Sequence, residues 1–154
     1  MEHYDVVVIG AGHAGIEAAN ISEKYGLKTA LITKNYSDLG KLSCNPSIGG
    51  VGKTHIASEV DILGGVICKI GDKSAIHYRV LNLSKGPAVW SVRAQIDRDL
   101  YAKNMQKYIK SSKIELIEDE AINILKKTIR LLGLIALKQV KSNQRLLFLQ
   151  LEPF

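Results

Sequence analysis

The segment Tyr4-Asp5-Val6-Val7-Val8-Ile9-Gly10-Ala11-Gly12-His13-Ala14-Gly15 constrains this chain more than any other. An apolar, β-branched run reads as a buried strand, and glycines at 10, 12 and 15 follow it with no spacer. The three glycines do different things. The first permits a tight turn, the second lets a pyrophosphate approach the backbone, and the third lets the following helix pack closely on the strand. Ala14, Ala18, Ile21 and Tyr25 then recur at helical spacing. Gly26 stands where a left-handed residue ends a helix, and Leu27 to Ile32 reads as a second buried strand. The whole is a βαβ unit of about thirty residues, the context in which G-x-G-x-x-G denotes a dinucleotide site. Phosphate bound there meets backbone N–H groups at the positive end of a helix. The plainer reading, a mere strand-to-helix turn, leaves three glycines in register unexplained.

One part of that fingerprint is missing. The acid that grips a ribose hydroxyl is expected about 20 residues on, at the end of the second strand, where this chain has Thr33-Lys34-Asn35. A hydroxyl, an amide, the main chain or a more distant group must hold the ribose instead. Lys34 suits a 2′-phosphate, but lysine in an exposed turn is commonplace.

A second glycine-rich stretch, Cys44-Asn45-Pro46-Ser47-Ile48-Gly49-Gly50-Val51-Gly52-Lys53-Thr54, ends like the loop of nucleotide hydrolases. That loop requires G-x-x-x-x-G-K-[ST] after a buried strand. Here Ser47 occupies the first glycine position, and Lys41 to Pro46 is polar and broken by proline. An ATPase or GTPase reading is therefore set aside. The stretch reads as a loop that brings backbone close to a ring or phosphate, or as a plain connector, leading into a helix from Lys53 or Thr54 to Leu63. Cys44 is open to two readings: a buried, inert thiol, the usual fate of a free cysteine, or a reactive one activated by the nearby helix start and Lys53. Cys68, in an apolar helical run, reads as inert.

Composition closes off other classes. With 154 residues, 46% hydrophobic and 23% charged, the chain has the make-up of one globular domain with a core. No apolar run approaches the roughly 20 residues that span a bilayer, and residues 1 to 10 lack a signal-peptide pattern, so no membrane role and a cytoplasmic location are expected. Two cysteines without paired ligand spacing indicate neither a disulfide framework nor a metal site. A net charge of +6 fits a polyanionic partner, although the cations are spread along the chain. Residues 76 to 83 alternate as a strand. From Val92, the positions Ile96, Leu100, Met105, Tyr108 and Ile109 predict one long helix, with Arg93, Arg98 and Lys103 off its apolar stripe, read either as a solvated basic face or, for Arg93, as a contact to a ligand. Residues 114 to 125 read as strand, turn and strand.

Taken in order, "VVVIGAGHAGIEAA", "LGKLSCNPSIGGVGKTH", "EVDILGG", "NLSKGPAV" and "RAQIDRDLY" resemble the N-terminal flavin-binding part of the tRNA uridine 5-carboxymethylaminomethyl modification enzymes, the glucose-inhibited division protein A family. The resemblance covers roughly residues 3 to 125. It implies an α/β, Rossmann-like FAD/NAD(P)-binding domain in three layers. It also implies an FAD-dependent enzyme acting at C5 of the wobble uridine of tRNA, with NADH and methylenetetrahydrofolate as further cofactors, a tRNA-modification GTPase as partner and a homodimeric state. Carried over residue by residue, it implies a cofactor site at Gly10, Ala11, Gly12, His13, Ala14, Gly15, Asn45, Gly49 and Gly50, with a main-chain contact at Ala121, and a catalytic role for Cys44. The family usually has an arginine where Trp90 stands. His3, His55 and His77 are read as structural or surface histidines.

From Lys126 the resemblance ends. The expected division is a partial flavin-binding domain at 1–125 and a divergent tail at 126–154, read as a frameshifted continuation, so that the fold is expected to be incomplete at its C-terminus and without a closing strand. On that reading the chain alone is not expected to catalyse. A non-catalytic nucleotide-binding module and a generic small flavoprotein oxidoreductase are the alternatives.

Overall fold

The computed structural model describes residues 3–127, 130–136 and 143–149, with side chains described as far as residue 123. In chain order the elements are β1 (His3–Ile9), α1 (His13–Lys24), β2 (Thr29–Thr33), β3 (Ser47–Gly49), α2 (Lys53–Ile62), α3 (Ile67–Ser74), β4 (Ala75–Leu81), β5 (Ser91–Ile96), α4 (Arg98–Ser111), β6 (Glu115–Glu118), β7 (Ala121–Lys127), β8 (Arg130–Ala136) and β9 (Asn143–Leu149). The chain forms two compact units, Met1–Gly40 with Gln106–Phe154, and Lys41–Met105. One domain was the expectation from length; the long insertion between β2 and α4 makes its own sheet and helices, and so separates.

The first unit is built on a four-stranded sheet in the order β6-β2-β1-β9. Every pair in it is parallel. A parallel sheet buries both faces, which is why β1 and β2 are continuous apolar runs instead of alternating ones. All five residues of β2 are buried, and Tyr4, Val7, Ala30 and Ile32 form a core against which Ile9, Ile117 and Ala121 pack. Helix α1 covers β1 and β2 and buries Gly15, Ile16 and Ala19. It stops at Gly26, whose φ of +77° lets its N–H reach the Glu23 carbonyl at 2.9 Å while the Leu27 N–H reaches Ser22 at 3.2 Å, the paired closure that a left-handed glycine permits. The fold is thus the expected Rossmann-like α/β arrangement. One difference concerns the closing strand. Asn143–Leu149 lies parallel to β1, with Leu146 to Leu149 in register with Val6 to Ile9; a leucine-rich run beside a buried β-branched strand is what such a position accepts. Strands β7 and β8 pair antiparallel.

The second unit holds the antiparallel sheet β3-β5-β4 with α2 and α3. Strand β4 and helix α2 fall where the sequence places them. The helix expected from Val92 does not: residues 91 to 96 are β5, paired with both β3 and β4, and the helix begins only at Arg98. The reason is local. Asp97 caps the helix, its carboxylate accepting the Leu100 N–H at 2.9 Å, and a cap residue has extended backbone, so nothing before it is helical. Helix α4 then buries Tyr101, Met105 and Ile109.

Candidate functional site

The first unit carries a cavity at the carboxyl ends of β1, β2 and β6. It is lined by Ile9, Gly10, Ala11, Ile32, Thr33, Lys34, Asp38, Asp119, Glu120 and Ala121 and measures about 380 Å³, within the usual range of small-molecule sites. This crevice outside the strand ends is where open α/β sheets bind ligands. Gly10 turns the chain into it with φ +99° and ties back to β2 through its N–H to the Ile32 carbonyl at 2.8 Å. Gly12 precedes α1 in extended conformation and offers no side chain to cap it, which leaves the helix start to meet an anion with its backbone.

Of the residues singled out from the sequence, Gly10, Ala11 and Ala121 come together on this cavity. Gly12, His13, Ala14 and Gly15 form the entry and first turn of α1. Gly15 and Ala11 are buried, which fits the close helix–strand contact demanded of the third glycine. Burial lowers the pKa of His13 below its ordinary 6.5, so its imidazole is neutral at pH 7.

Three carboxylates that sequence reasoning overlooked, Asp38, Asp119 and Glu120, line this cavity. Asp119 is 5% exposed, its N–H is tied to the Thr33 carbonyl at 2.9 Å, and its carboxylate accepts the Glu120 N–H at 2.7 Å. Glu120 pairs with Lys34 at 2.5 Å across the mouth of the cavity. Asp38 lines the same wall. The signal was present: "EDEA" at 118–121 places acids at the end of a strand, but of a different strand from the one the fingerprint names. Lys34, engaged by Glu120, is accounted for without a 2′-phosphate.

The second unit carries the Cys44 to Thr54 loop. Cys44 is exposed, which removes the buried, inert reading. The Arg98 guanidinium donates to the Cys44 carbonyl, so a cation stands beside this residue that the sequence alone did not connect to it. Asn45 is exposed, and its carbonyl accepts the Ser47 N–H at 2.8 Å.

The Gly-Lys-Thr ending is explained by Thr54. Its hydroxyl accepts the Gly50 N–H at 3.0 Å, and its single proton is shared among the Gly50 carbonyl at 3.0 Å, Ser91 Oγ at 2.7 Å and the Val92 carbonyl at 2.8 Å. In a hydrolase loop that hydroxyl serves a magnesium ion; here it is turned onto its own loop and onto β5. The strand ahead of the loop, β3, is three residues long and antiparallel, unlike the buried strand such a loop needs. Gly49 and Gly50 have φ of +86° and +116°. A Cβ on Gly49 would overlap the Val92 carbonyl, and one on Gly50 would meet the Arg93 guanidinium at 3.3 Å. The close approach that Gly49 permits is therefore to β5.

Cys68 is half-buried and its thiol points to the Ala57 carbonyl at 3.4 Å, a structural placement. Among the described residues, no group of three or more His, Cys, Asp and Glu side chains is placed to hold a metal, and no helix is long and apolar enough to cross a membrane.

The comparisons bear on both units. The family model for Glucose inhibited division protein A matches residues 5–148, running past residue 125 into the segment expected to diverge. The mouse mitochondrial 5-taurinomethyluridine-[tRNA] synthase subunit MTO1 is 53% identical over 123 residues, covering 80% of this chain and 18% of the relative. The tRNA uridine 5-carboxymethylaminomethyl modification enzyme MnmG of Buchnera aphidicola is 49% identical over 135 residues, 87% of this chain and 21% of that one. The structure of Aquifex aeolicus GidA superposes with a TM-score of 0.93 at 37% identity, over 96% of this chain and 25% of its own. The chain thus spans about a fifth to a quarter of the length of the relatives it matches. A Pseudomonas aeruginosa protein described as a probable FAD-dependent monooxygenase, at 10% identity and a TM-score of 0.65, shares the fold.

Proposed function

Since this chain belongs to the glucose-inhibited division protein A family, we propose that it forms the FAD-holding part of an enzyme that modifies uridine in tRNA. The observation that carries the reading is the cavity at the strand ends, where Gly10, Ala11 and Ala121 meet. Its features suit the adenosine end of FAD. Gly10, at φ +99°, presents no side chain toward a pyrophosphate, and the uncapped start of α1 offers N–H groups to its oxygens. The carboxylates of Asp38, Asp119 and Glu120 supply acceptors for ribose hydroxyls. Bound FAD would supply two-electron redox chemistry; the residues of this chain bind and orient it.

In the second unit we assign Cys44 the nucleophilic role. C5 of uridine becomes nucleophilic once a thiolate adds to C6: the S–C6 bond forms and the π pair of the C5–C6 bond moves toward C5 and the O4 carbonyl. The thiol is exposed, open to a substrate base, and the Arg98 guanidinium bound to its main-chain carbonyl helps to fix the loop that carries it. Asn45, Gly49 and Gly50 would line the same loop. The wider scheme, with NADH as reductant, methylenetetrahydrofolate as carbon donor, a tRNA-modification GTPase as partner and a homodimer, rests on the family alone.

The test is the visible absorption spectrum of the purified chain after incubation with FAD and desalting. Flavin bands that persist, and that disappear in Gly10→Val, are the expected result. A folded but colourless wild-type sample overturns the reading. Cys44→Ser should keep the bands and lose any covalent adduct to 5-fluorouridine in RNA.

A further inference from the structure

The second unit has a charged face that neither the cofactor cavity nor Cys44 uses. Between residues 73 and 96 the sequence carries Lys73, Arg79, Lys85 and Arg93 and no Asp or Glu. The structure brings three of them, Arg79, Lys85 and Arg93, to one trough. Arg79 and Arg93 are direct partners in the β4–β5 register, so their side chains leave the same face of the ribbon about 5 Å apart, where like charges oppose folding. Both are exposed, and neither guanidinium has a hydrogen bond or ion pair among the described residues. Together with His77, Leu81, Asn82 and Lys85 they line an open trough whose wall includes no carboxylate. Two unneutralised arginines lining one trough offer their donor forks to an anion.

We infer that this trough binds the phosphodiester backbone of a single-stranded RNA segment, with Arg79 and Arg93 clamping one phosphate and Lys85 meeting a neighbouring one. The inference rests on the proposed action on RNA. Two features favour a strand over a lone anion. The cations run along the ribbon and into the β4–β5 connection instead of converging on one point. In that connection Trp90 is half-exposed yet fixed, its Nε1–H donating to the Leu83 carbonyl at 3.3 Å, while Asn82 donates to the Val89 carbonyl at 3.3 Å. A fixed aromatic face beside a row of cations is the combination that holds single strands, the ring stacking a base and the cations tracking the phosphates.

The experiment is fluorescence anisotropy of the full chain with a labelled single-stranded RNA of about twelve nucleotides, a length that covers a typical single-strand site, over a series of salt concentrations. The pair Arg79→Gln/Arg93→Gln is compared with Lys107→Gln/Lys110→Gln, which removes the same charge from α4. The clamp pair should weaken binding about tenfold or more and flatten the slope of log K against log salt by about 1, and the α4 pair should do far less. Trp90→Ala should weaken binding several-fold and leave the slope unchanged. The clamp substitutions relieve a like-charge contact, so the variants are expected to fold, which circular dichroism checks. Equal losses from the two pairs overturn the inference in favour of general charge. Competition by polyglutamate as strong as by RNA overturns it in favour of an acidic protein, and competition by inorganic phosphate at millimolar level overturns it in favour of a small anion. Flavin absorbance read on the same samples separates the two proposals: a colourless chain that binds RNA through the clamp removes only the flavin reading, and a yellow chain insensitive to the clamp removes only this one.

Discussion

The two units solve the problem of a small core in opposite ways. In the first, β2 is buried along its whole length and β1 hides Tyr4, Val6, Val7 and Val8, so the strands themselves are the core. In the second, the five central residues of β4 are all exposed, and β5 buries only Ser91, Ala94 and Ile96. Stability in the first unit comes from apolar area; in the second, much of the order comes from polar ties such as Thr54 and from glycines that let backbones touch. The lesson is that one short chain can set a cavity at the ends of a fully buried sheet and carry its exposed Cys44 loop on a lightly buried one.

The comparison is broken most directly by truncating matched side chains. Leu31→Ala, at 0% exposure in β2, should cost about 2–5 kcal/mol, whereas Val80→Ala, 42% exposed in β4, should cost about 0.5 kcal/mol or less; urea unfolding measures both, and similar losses would end the contrast. A second test concerns glycines. Gly49→Ala combines a positive φ with overlap on the Val92 carbonyl and should cost about 2–4 kcal/mol. Gly26→Ala shares the positive φ but meets open space, so only the backbone term of about 1–2 kcal/mol remains. Thermal melts that rank the two the other way would show that the β3–β5 contact is soft.

Acid should act on the first unit through His13. Burial lowers its pKa from 6.5, so the unfolded chain binds a proton more readily than the folded one. The stability linked to this group is complete above pH 6.5 and is lost as pH falls below that value toward the folded pKa. His13→Gln should flatten that part of the stability profile, and an unchanged profile would assign the acid loss elsewhere. The smallest effect expected is that of Lys34→Ala: the Glu120 partner is 2.5 Å away, but the side chains are 73% and 44% exposed, and such pairs contribute at most about 1 kcal/mol.

Legibility in the sequence follows the same division. The β1-α1-β2 unit, the left-handed Gly26, the α2 start and the strand-turn-strand pattern at 114–125 were all readable, although its two strands join different sheets. Strand β5 was not. Val92, Ala94 and Ile96 have a period of two, but Ile96 also begins the helical series with Leu100, and six residues cannot decide between periods; Asp97 as a cap was the signal that settles it. The closing strand β9 was obscured by an irregular, basic surrounding sequence. At the site, the glycines and Ala121 were readable from the fingerprint and the family resemblance. Asp119 and Glu120 were not, since their nearness to Gly10 depends on β6 pairing with β2 across some eighty residues of chain, as Ala30↔Glu115 does. The Arg98–Cys44 contact was hidden for the same reason.

Thr54 shows how far this loop stands from the enzymes whose signature it imitates. Its hydroxyl has one proton and two lone pairs, and four groups from three residues, Gly50, Ser91 and Val92, compete for them. To bring that oxygen to a nucleotide-bound metal, evolution would first have to uncouple Gly50 and release the hydroxyl from β5, loosening the loop before any new activity rewarded the change. The likeness in letters conceals a valley between two peaks, and no single substitution crosses it.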